Sequence, residues 1–390
     1  MAYYNESETQ KRLEKVREIL RKKGLDAALV YFDELNVANG WYLTGWCGQF
    51  EKGAVLVPVK GNPMLLGGPE SQPFATMNAA IKDTRCFPVF MVPDEEYPNS
   101  IIINFKQLND ELRGEGTILR KIGFVGTDTI PLQVYNEFKA GFEGIEIVDI
   151  TPDYEVLRAY KSEWEREQMK KAVHLCDLAY DQMVAAVKPG AYEYEVSAAG
   201  EYVCRKNGAS SFAYSTIVGS GERAMAVVPT ATNKQMKDGE LVMLGIAPRF
   251  NGYAGTYGDT VPVNGVYTKR QKDLMNYMRE TMQLTKAMLK PGMTGREIDV
   301  PGRKYYEKHG LEKYIICPFA HTIGLMEAES PFFGPNGDFV LQPGMTVMVD
   351  ISFFGHPELY GGRIETGYII TDNGCVPMSP KMDEYFSHNL

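Results

Sequence analysis

Histidine and cysteine are the side chains best suited to proton transfer, nucleophilic attack or metal binding near neutral pH, and this chain has five of the first and six of the second. The cysteines (Cys47, Cys86, Cys176, Cys204, Cys317, Cys375) are scattered, with no Cys-x-x-Cys pair and no Cys-His context. That argues against a disulfide framework, a structural zinc or a thiol nucleophile, and buried thiols in a reducing cytoplasm are expected. No Gly-x-Ser-x-Gly elbow is present, and Gly219-Ser-Gly221-Glu222 lacks the Lys-Ser/Thr ending of a phosphate loop. His174, His309 and His388 have no motif around them and are assigned no chemistry. His321 precedes Glu327 and Glu329, which flank Ala328, and His356 lies between Asp350 and Glu365. Phe212, Tyr214, Phe319, Phe332 and Phe333 read as core or cleft wall, so no organic cofactor is expected.

These residues need a scaffold, and 390 residues suffice for two or three units with cores of their own. Hydrophobic residues are 44 % and charged residues 23 %, which excludes a disordered or fibrous chain. The net charge of −9 has no basic stripe to set against it, so nucleic acid is not an expected partner. The longest apolar runs, Ala27–Phe32 and Leu241–Ile246, are far short of the ~20 residues of a bilayer span, so no membrane partner is expected either. The opening MAYYNESETQKRLEKV has no apolar signal segment, and a cytoplasmic location is expected.

Leu13, Val16, Ile19 and Leu20 fall at helical spacing over residues 7–23 and stop at Gly24, a left-handed cap, before the extended run Ala27–Phe32. Further short apolar runs at 54–57, 64–66, 87–91, 123–125 and 145–148 read as an α/β layer. From Arg158 a long mixed-charge helix is predicted to about Val187, and the domain boundary is placed at 155/156. Beyond it the sequence repeats itself. Lys188-Pro-Gly190, Glu195, Gly200, Lys206 and Gly208 recur as Lys290-Pro-Gly292, Glu297, Gly302, Lys308 and Gly310 at a constant offset. Two α+β halves around a shared cleft are the expected result.

Many short strings in order carry a resemblance: Arg158-x-x-Lys161-Ser162, Lys237-Asp-Gly-Glu240, Asn251-Gly-Tyr-Ala-Gly255, His321-x-x-Gly-Leu325, Glu329-x-Pro331, Pro343-Gly-Met345 and Arg363-Ile-Glu365. The chain resembles the creatinase, aminopeptidase P and prolidase superfamily, the pita-bread fold. The fold implied is an amino-terminal α/β domain, 1–155, and an α+β catalytic domain with an internal pseudo-twofold repeat, 156–390. Metallopeptidases of this superfamily hold two divalent ions with two aspartates, a histidine and two glutamates. On that pattern the aspartate positions here hold Gly245 and Thr256, whereas the histidine is kept as His321, the first glutamate position holds the shorter Asp350, and the second is kept as Glu365. Two assisting histidines of the metal enzymes, the first also the acid and base of creatinase, are replaced by Val228 and Ala328.

Two carboxylates beside one another at a cleft floor raise one pKa unless a cation lies between them. That cation is either a single metal ion on His321, Asp350 and Glu365 or the guanidinium or ammonium of a substrate. The leading expectation is a creatinase-like, metal-independent hydrolase that cleaves a C–N bond in a small cationic or zwitterionic substrate, with His321 moving the proton. A metal-dependent Xaa-Pro dipeptidase or aminopeptidase is the alternative, and a catalytically inactive binding protein the third reading. The resemblance adds Glu329 as an orienter of water, Thr256 and Asp259 as contacts to substrate, and Lys52 and Arg363 as clamps for a substrate anion. It also places Phe50 and Lys52 at a tip that reaches the neighbouring subunit's site, which implies a homodimer. His356 is a stand-in for the missing imidazole. The plain alternatives are a surface turn at Asp259, an ordinary hairpin at Phe50 to Lys52, an exposed loop at His356, and an Arg363 that pairs with a nearby carboxylate.

Overall fold

The computed structural model describes residues 4–94 and 97–390. The chain divides into two compact units between Arg158 and Ala159. That is three residues beyond the expected 155/156, near the end of the helix Thr151–Ala159.

In the amino-terminal unit the helix Glu6–Lys23 starts where the Asn5 side chain accepts the Glu8 N–H, and ends at Gly24 with φ 64°. Acidic residues in its first turn and basic residues in its last complement the helix dipole. It buries Leu13, Val16 and Leu20, and each such side chain is worth about 1.5–3 kcal/mol. The strand Ala27–Phe32 that follows is buried at every position. It lies inside a six-stranded sheet, antiparallel to Gly53–Pro58 and parallel to Lys121–Val125. The apolar run 87–91 does not extend this sheet. Pro88 has no N–H to give a ladder, so the strand ends at Cys86 and Pro88–Phe90 form a 3-10 turn.

In the second unit the long helix begins at Glu163, not Arg158. Ser162 caps it, accepting the Glu165 N–H while the Glu165 carboxylate accepts the Ser162 N–H, and the helix runs to Ala186. The sequence repeat has a structural counterpart. The helices Glu193–Lys206 and Gly295–Lys308 start and end at the same offset, each preceded by a long helix and followed by a left-handed glycine, Gly208 and Gly310.

An eight-stranded sheet runs in the order Glu329–Phe333, Ala320–Thr322, Thr346–His356, Tyr360–Thr371, Tyr257–Pro262, Leu241–Ile246 and Ile217–Ser220, and Gly374–Pro377 pairs with Tyr360–Thr371. Helix residues Leu175, Met183, Met278, Met282 and Ile298 pack with strand residues Val242, Leu244, Val349 and Ile364 in one core. The central strands are therefore held from one side by helices. Among the described residues no helix is long and apolar enough to cross a membrane, and all six cysteines are free.

Candidate active site

One row of residues crosses the central strands. Asp350 stands opposite Glu365, Glu365 opposite Gly258, Gly258 opposite Gly245, and Gly245 opposite Ile217. Directly opposed residues share a face of a sheet, so two carboxylates and two glycines lie side by side on one surface. His321 pairs with Met348, two residues before Asp350, and Arg363 lies two residues before Glu365. The two-residue period of a strand puts both on that surface as well.

The result is a compact charged cluster. Ligand-type atoms of His321, Asp350 and Glu365 all lie within 4.8 Å of one another. His321 Nε2 is 3.4 Å from Glu365 Oε1 and 3.5 Å from Glu327 Oε1, and its Nδ1 is 3.0 Å from the Thr322 carbonyl oxygen. Arg363 Nε is 3.0 Å from Asp350 Oδ1. Asp350 Oδ1, Arg363 Nε and Glu365 Oε1 are nevertheless buried without a well-aimed hydrogen bond. Asp350 Oδ1 faces Arg363 and Glu365 Oε1 faces His321 as charge pairs more than as well-aimed hydrogen bonds, and both oxygens keep lone pairs for a further cation.

The field shifts the protons accordingly. Burial works to lower the His321 pKa, but Glu327, with Glu365 and Asp350 behind it, outweighs burial and pushes it up to about 10. Glu365 is pushed up to about 7 by burial and by Asp350, against the pull of His321 and Arg363. For Arg363 burial is again outweighed, here by Asp350 and Glu365, so the guanidinium is held firmly charged. With all three carboxylates ionised, one guanidinium and one imidazolium leave the cluster one positive charge short, and the raised pKa of Glu365 is the response to that deficit.

Arg363 therefore faces Asp350 and supplies part of the positive charge expected from outside the chain. Its path to that carboxylate crosses Gly258, where an added Cβ would lie 2.9 Å from Arg363 Cδ. The glycine is what lets the guanidinium reach across.

Glu329 is buried in a pair with Lys161. Its Oε2 accepts from Lys161 Nζ at 3.1 Å, both side chains being 1 % exposed, and its Oε1 accepts the N–H groups of Leu325 and Met326. It anchors the loop that carries Glu327 and is not aimed at the reacting groups. Thr256 belongs to the cluster, with its hydroxyl 3.4 Å from Glu365 Oε2.

Asp259 does not join it, and it is no surface turn either. It sits one residue after Gly258 in the strand, so strand alternation turns it to the opposite face. There it is fully buried and accepts from the Tyr180 hydroxyl at 2.9 Å and from its neighbour Thr260 N–H.

His356 is also elsewhere. It lies six residues beyond Asp350 on the same strand, roughly 20 Å at the usual rise. It is buried and not in an exposed loop, and its Nδ1 accepts the N–H groups of Glu358 and Leu359. Burial and the neighbouring Arg270 lower its pKa, so it shapes a turn. Phe50 and Lys52 belong to the amino-terminal unit, both exposed, with Phe50 at φ 65° just before the strand Gly53–Pro58.

Two contributors were not legible as such in the sequence. Glu327, with Glu365, is one of the carboxylates that raise the His321 pKa. Tyr214, read as a wall residue, places its hydroxyl 2.9 Å from Thr256 Oγ1. A Cβ at Gly245 would lie 3.2 Å from that hydroxyl, so the phenol fills space beside the row. A buried glycine in a strand is the one sequence signal that something close approaches there.

The set does not fit a pair of ions, because Gly245 and Thr256 bring no carboxylate. It does fit a single one, with an imidazole and two carboxylates converging and two of their oxygens unsatisfied.

Comparisons with known proteins agree with this architecture. Residues 12–160 match the model of the Creatinase/Prolidase N-terminal domain and residues 167–372 that of Metallopeptidase family M24. An uncharacterized peptidase, YqhT, of Bacillus subtilis is 28 % identical over 95 % of this chain and 98 % of its own length. A Xaa-Pro dipeptidase of Pyrococcus furiosus is 28 % identical over 70 % of this chain and 77 % of its own. Among solved structures, a Xaa-Pro dipeptidase from Bacillus anthracis superposes with a TM-score of 0.80 at 25 % identity, over 95 % of this chain and 98 % of that one. The prolidase of Pyrococcus horikoshii gives 0.80 at 23 % identity, over 94 % and 97 %. Over more than half its length, with the amino-terminal domain and the pita-bread fold that accompany it, the chain belongs to metallopeptidase family M24.

Proposed function

We propose that the protein is a hydrolase of short peptides, of the Xaa-Pro dipeptidase kind, working with one divalent ion on His321, Asp350 and Glu365. The observation that carries the proposal is the cluster itself, three ligand-type atoms within 4.8 Å and short of neutrality by one positive charge. A divalent ion in place of the imidazolium proton removes that deficit. The relatives, which are peptidases, support this over the creatinase-like, metal-independent reading that the sequence favoured.

Held by His321, Asp350 and Glu365, such an ion would supply a bound water of lowered pKa and polarisation of the scissile carbonyl. The chain does the rest. Arg363 fixes Asp350 from one side, and the Thr322 carbonyl oxygen beside His321 Nδ1 leaves Nε2 to face the carboxylates. Glu327, at the more exposed rim of the cluster, receives a proton from the attacking water and returns it to the leaving amine.

The test is metal analysis of protein purified without chelator, together with hydrolysis of a panel of Xaa-Pro dipeptides before and after chelation. About one zinc, manganese or iron per chain, with dipeptidase activity lost on chelation and restored by metal, is the expected result. Full turnover in metal-free protein would return the metal-independent reading to first place.

A further inference from the structure

The row of site residues contains a second network that the ion-binding set does not use. Thr256 Oγ1 lies between two oxygens, the Tyr214 hydroxyl at 2.9 Å and Glu365 Oε2 at 3.4 Å. A threonine hydroxyl has one proton to give. With Glu365 ionised, as it is when it holds a cation, the carboxylate can only accept, so that proton points to Glu365 and the Tyr214 hydroxyl donates to Thr256. The direction of the chain is thereby set, from phenol to alcohol to carboxylate.

Each member is held in place. The Tyr214 ring packs against the buried group Ile217, Ala224, Met243 and Phe354. Its hydroxyl reaches the row because Gly245 has no side chain, and Thr256 and Glu365 are 2 % and 1 % exposed. Glu365 has two oxygens with different tasks. Oε2 faces the hydroxyl pair, while Oε1, left without a hydrogen bond, is 3.4 Å from His321 Nε2 and belongs to the converging set.

The geometry points to Tyr214 and Thr256 as a directed hydroxyl relay that fixes the orientation of Glu365, so that one oxygen is tied back and the other is presented beside His321 and Asp350. Tyr214 is thus a positioning residue. A carboxylate free to rotate would present either oxygen, or neither, and ordering it would cost entropy at each binding event. Groups that hydrogen-bond a ligating carboxylate commonly change metal affinity about 10–100-fold when removed. The inference rests on the single-ion reading only where affinity is concerned. The orientation of Glu365 is a property of the chain alone.

The experiment uses Tyr214→Phe, which keeps the packed ring and removes only the hydroxyl, with Thr256→Val and Thr256→Ser. Crystal structures of the metal-free variants read the relay directly. Glu365 is expected to leave its wild-type orientation in Tyr214→Phe and Thr256→Val and to keep it in Thr256→Ser. An unmoved Glu365 in Tyr214→Phe overturns the relay. Zinc affinity, by competition with a chromogenic chelator, reads the consequence. A loss of about 10–100-fold is expected for Tyr214→Phe, with the Tyr214→Phe/Thr256→Val double variant no worse than the weaker-binding single, because both cut one chain. Additive losses would show two independent effects and overturn it. If the wild-type chain binds no divalent ion, the single-ion function fails, and the Glu365 orientation still decides the relay.

Discussion

Gly258 stands directly opposite Glu365 in the sheet, and the space its missing side chain leaves is filled by the Arg363 chain on its way to Asp350. The cation nearest the carboxylates therefore depends on a glycine that itself has no chemistry. In Gly258→Ala a Cβ would lie 2.9 Å from Arg363 Cδ and 3.2 Å from Glu365 Cβ. Overpacking of this kind costs about 1–3 kcal/mol. The expected outcome is a lowered urea midpoint with hydrolysis reduced further than the folded fraction explains, since Arg363 must withdraw from Asp350. Wild-type activity per folded molecule would remove the guanidinium from the working site.

His321 is the sole imidazole of the cluster. His321→Ala is expected to lower turnover of an identified dipeptide by about 10²–10⁴ and also to lower the melting temperature, because the imidazolium that balances Glu327 and Glu365 is lost. Steady-state kinetics beside a thermal melt checks this, and unchanged turnover would refute its role.

Lys161 and Glu329 form a buried pair, 3.1 Å apart and each 1 % exposed. Removing one partner from such a pair typically costs about 3–5 kcal/mol, because the other charge is left buried. Lys161→Met should therefore destabilise strongly. It should also loosen the 324–328 loop that Glu329 holds through the Leu325 and Met326 N–H groups, and with it Glu327. Lys161→Met/Glu329→Gln, which removes both charges, is expected to recover much of the stability. Equal denaturation midpoints for single and double variants would contradict this account.

Asp259 sits among Tyr180, Tyr257, Tyr267, Tyr385 and Arg279, and burial raises its pKa from 3.8 to about 6 against the hydrogen bond from Tyr180. The folded state thus holds its proton more tightly than the unfolded state. Stability from this group is full below about pH 4, falls as pH rises through 6, and is then constant. A shift of this size corresponds to roughly 3 kcal/mol. Asp259→Asn, which carries no buried charge, should gain on wild type by up to that amount at pH 8 and lose the advantage at pH 4. Chemical denaturation of both proteins at the two pH values provides the check. A pH-independent difference would mean that Asp259 is not neutralised by folding.

The helix at 6–23 with its cap at Gly24, the buried strand 27–32 and the paired helices of the repeat all follow from local pattern, because apolar spacing, caps and left-handed glycines act over a few residues. The strings around His321 and Glu365 carried the family for the same reason. The breaks were less legible. Pro88 ended a strand inside an apolar run, and Ser162 restarted a helix that the charge pattern made continuous.

The sequence by itself determined the fold family and the set of carboxylates and imidazole that could meet. Only the tertiary structure decided which of them do. Asp259 and His356 have the right chemistry in the right stretch of chain, yet strand alternation turns one to the far face and distance along the strand removes the other. Arg363 pairs with Asp350, and Tyr214 reaches Thr256, only because opposed strands bring Gly258 and Gly245 into the same row as Glu365. Cross-strand register is a long-range property, set by packing of the whole sheet, and no window of neighbouring residues contains it.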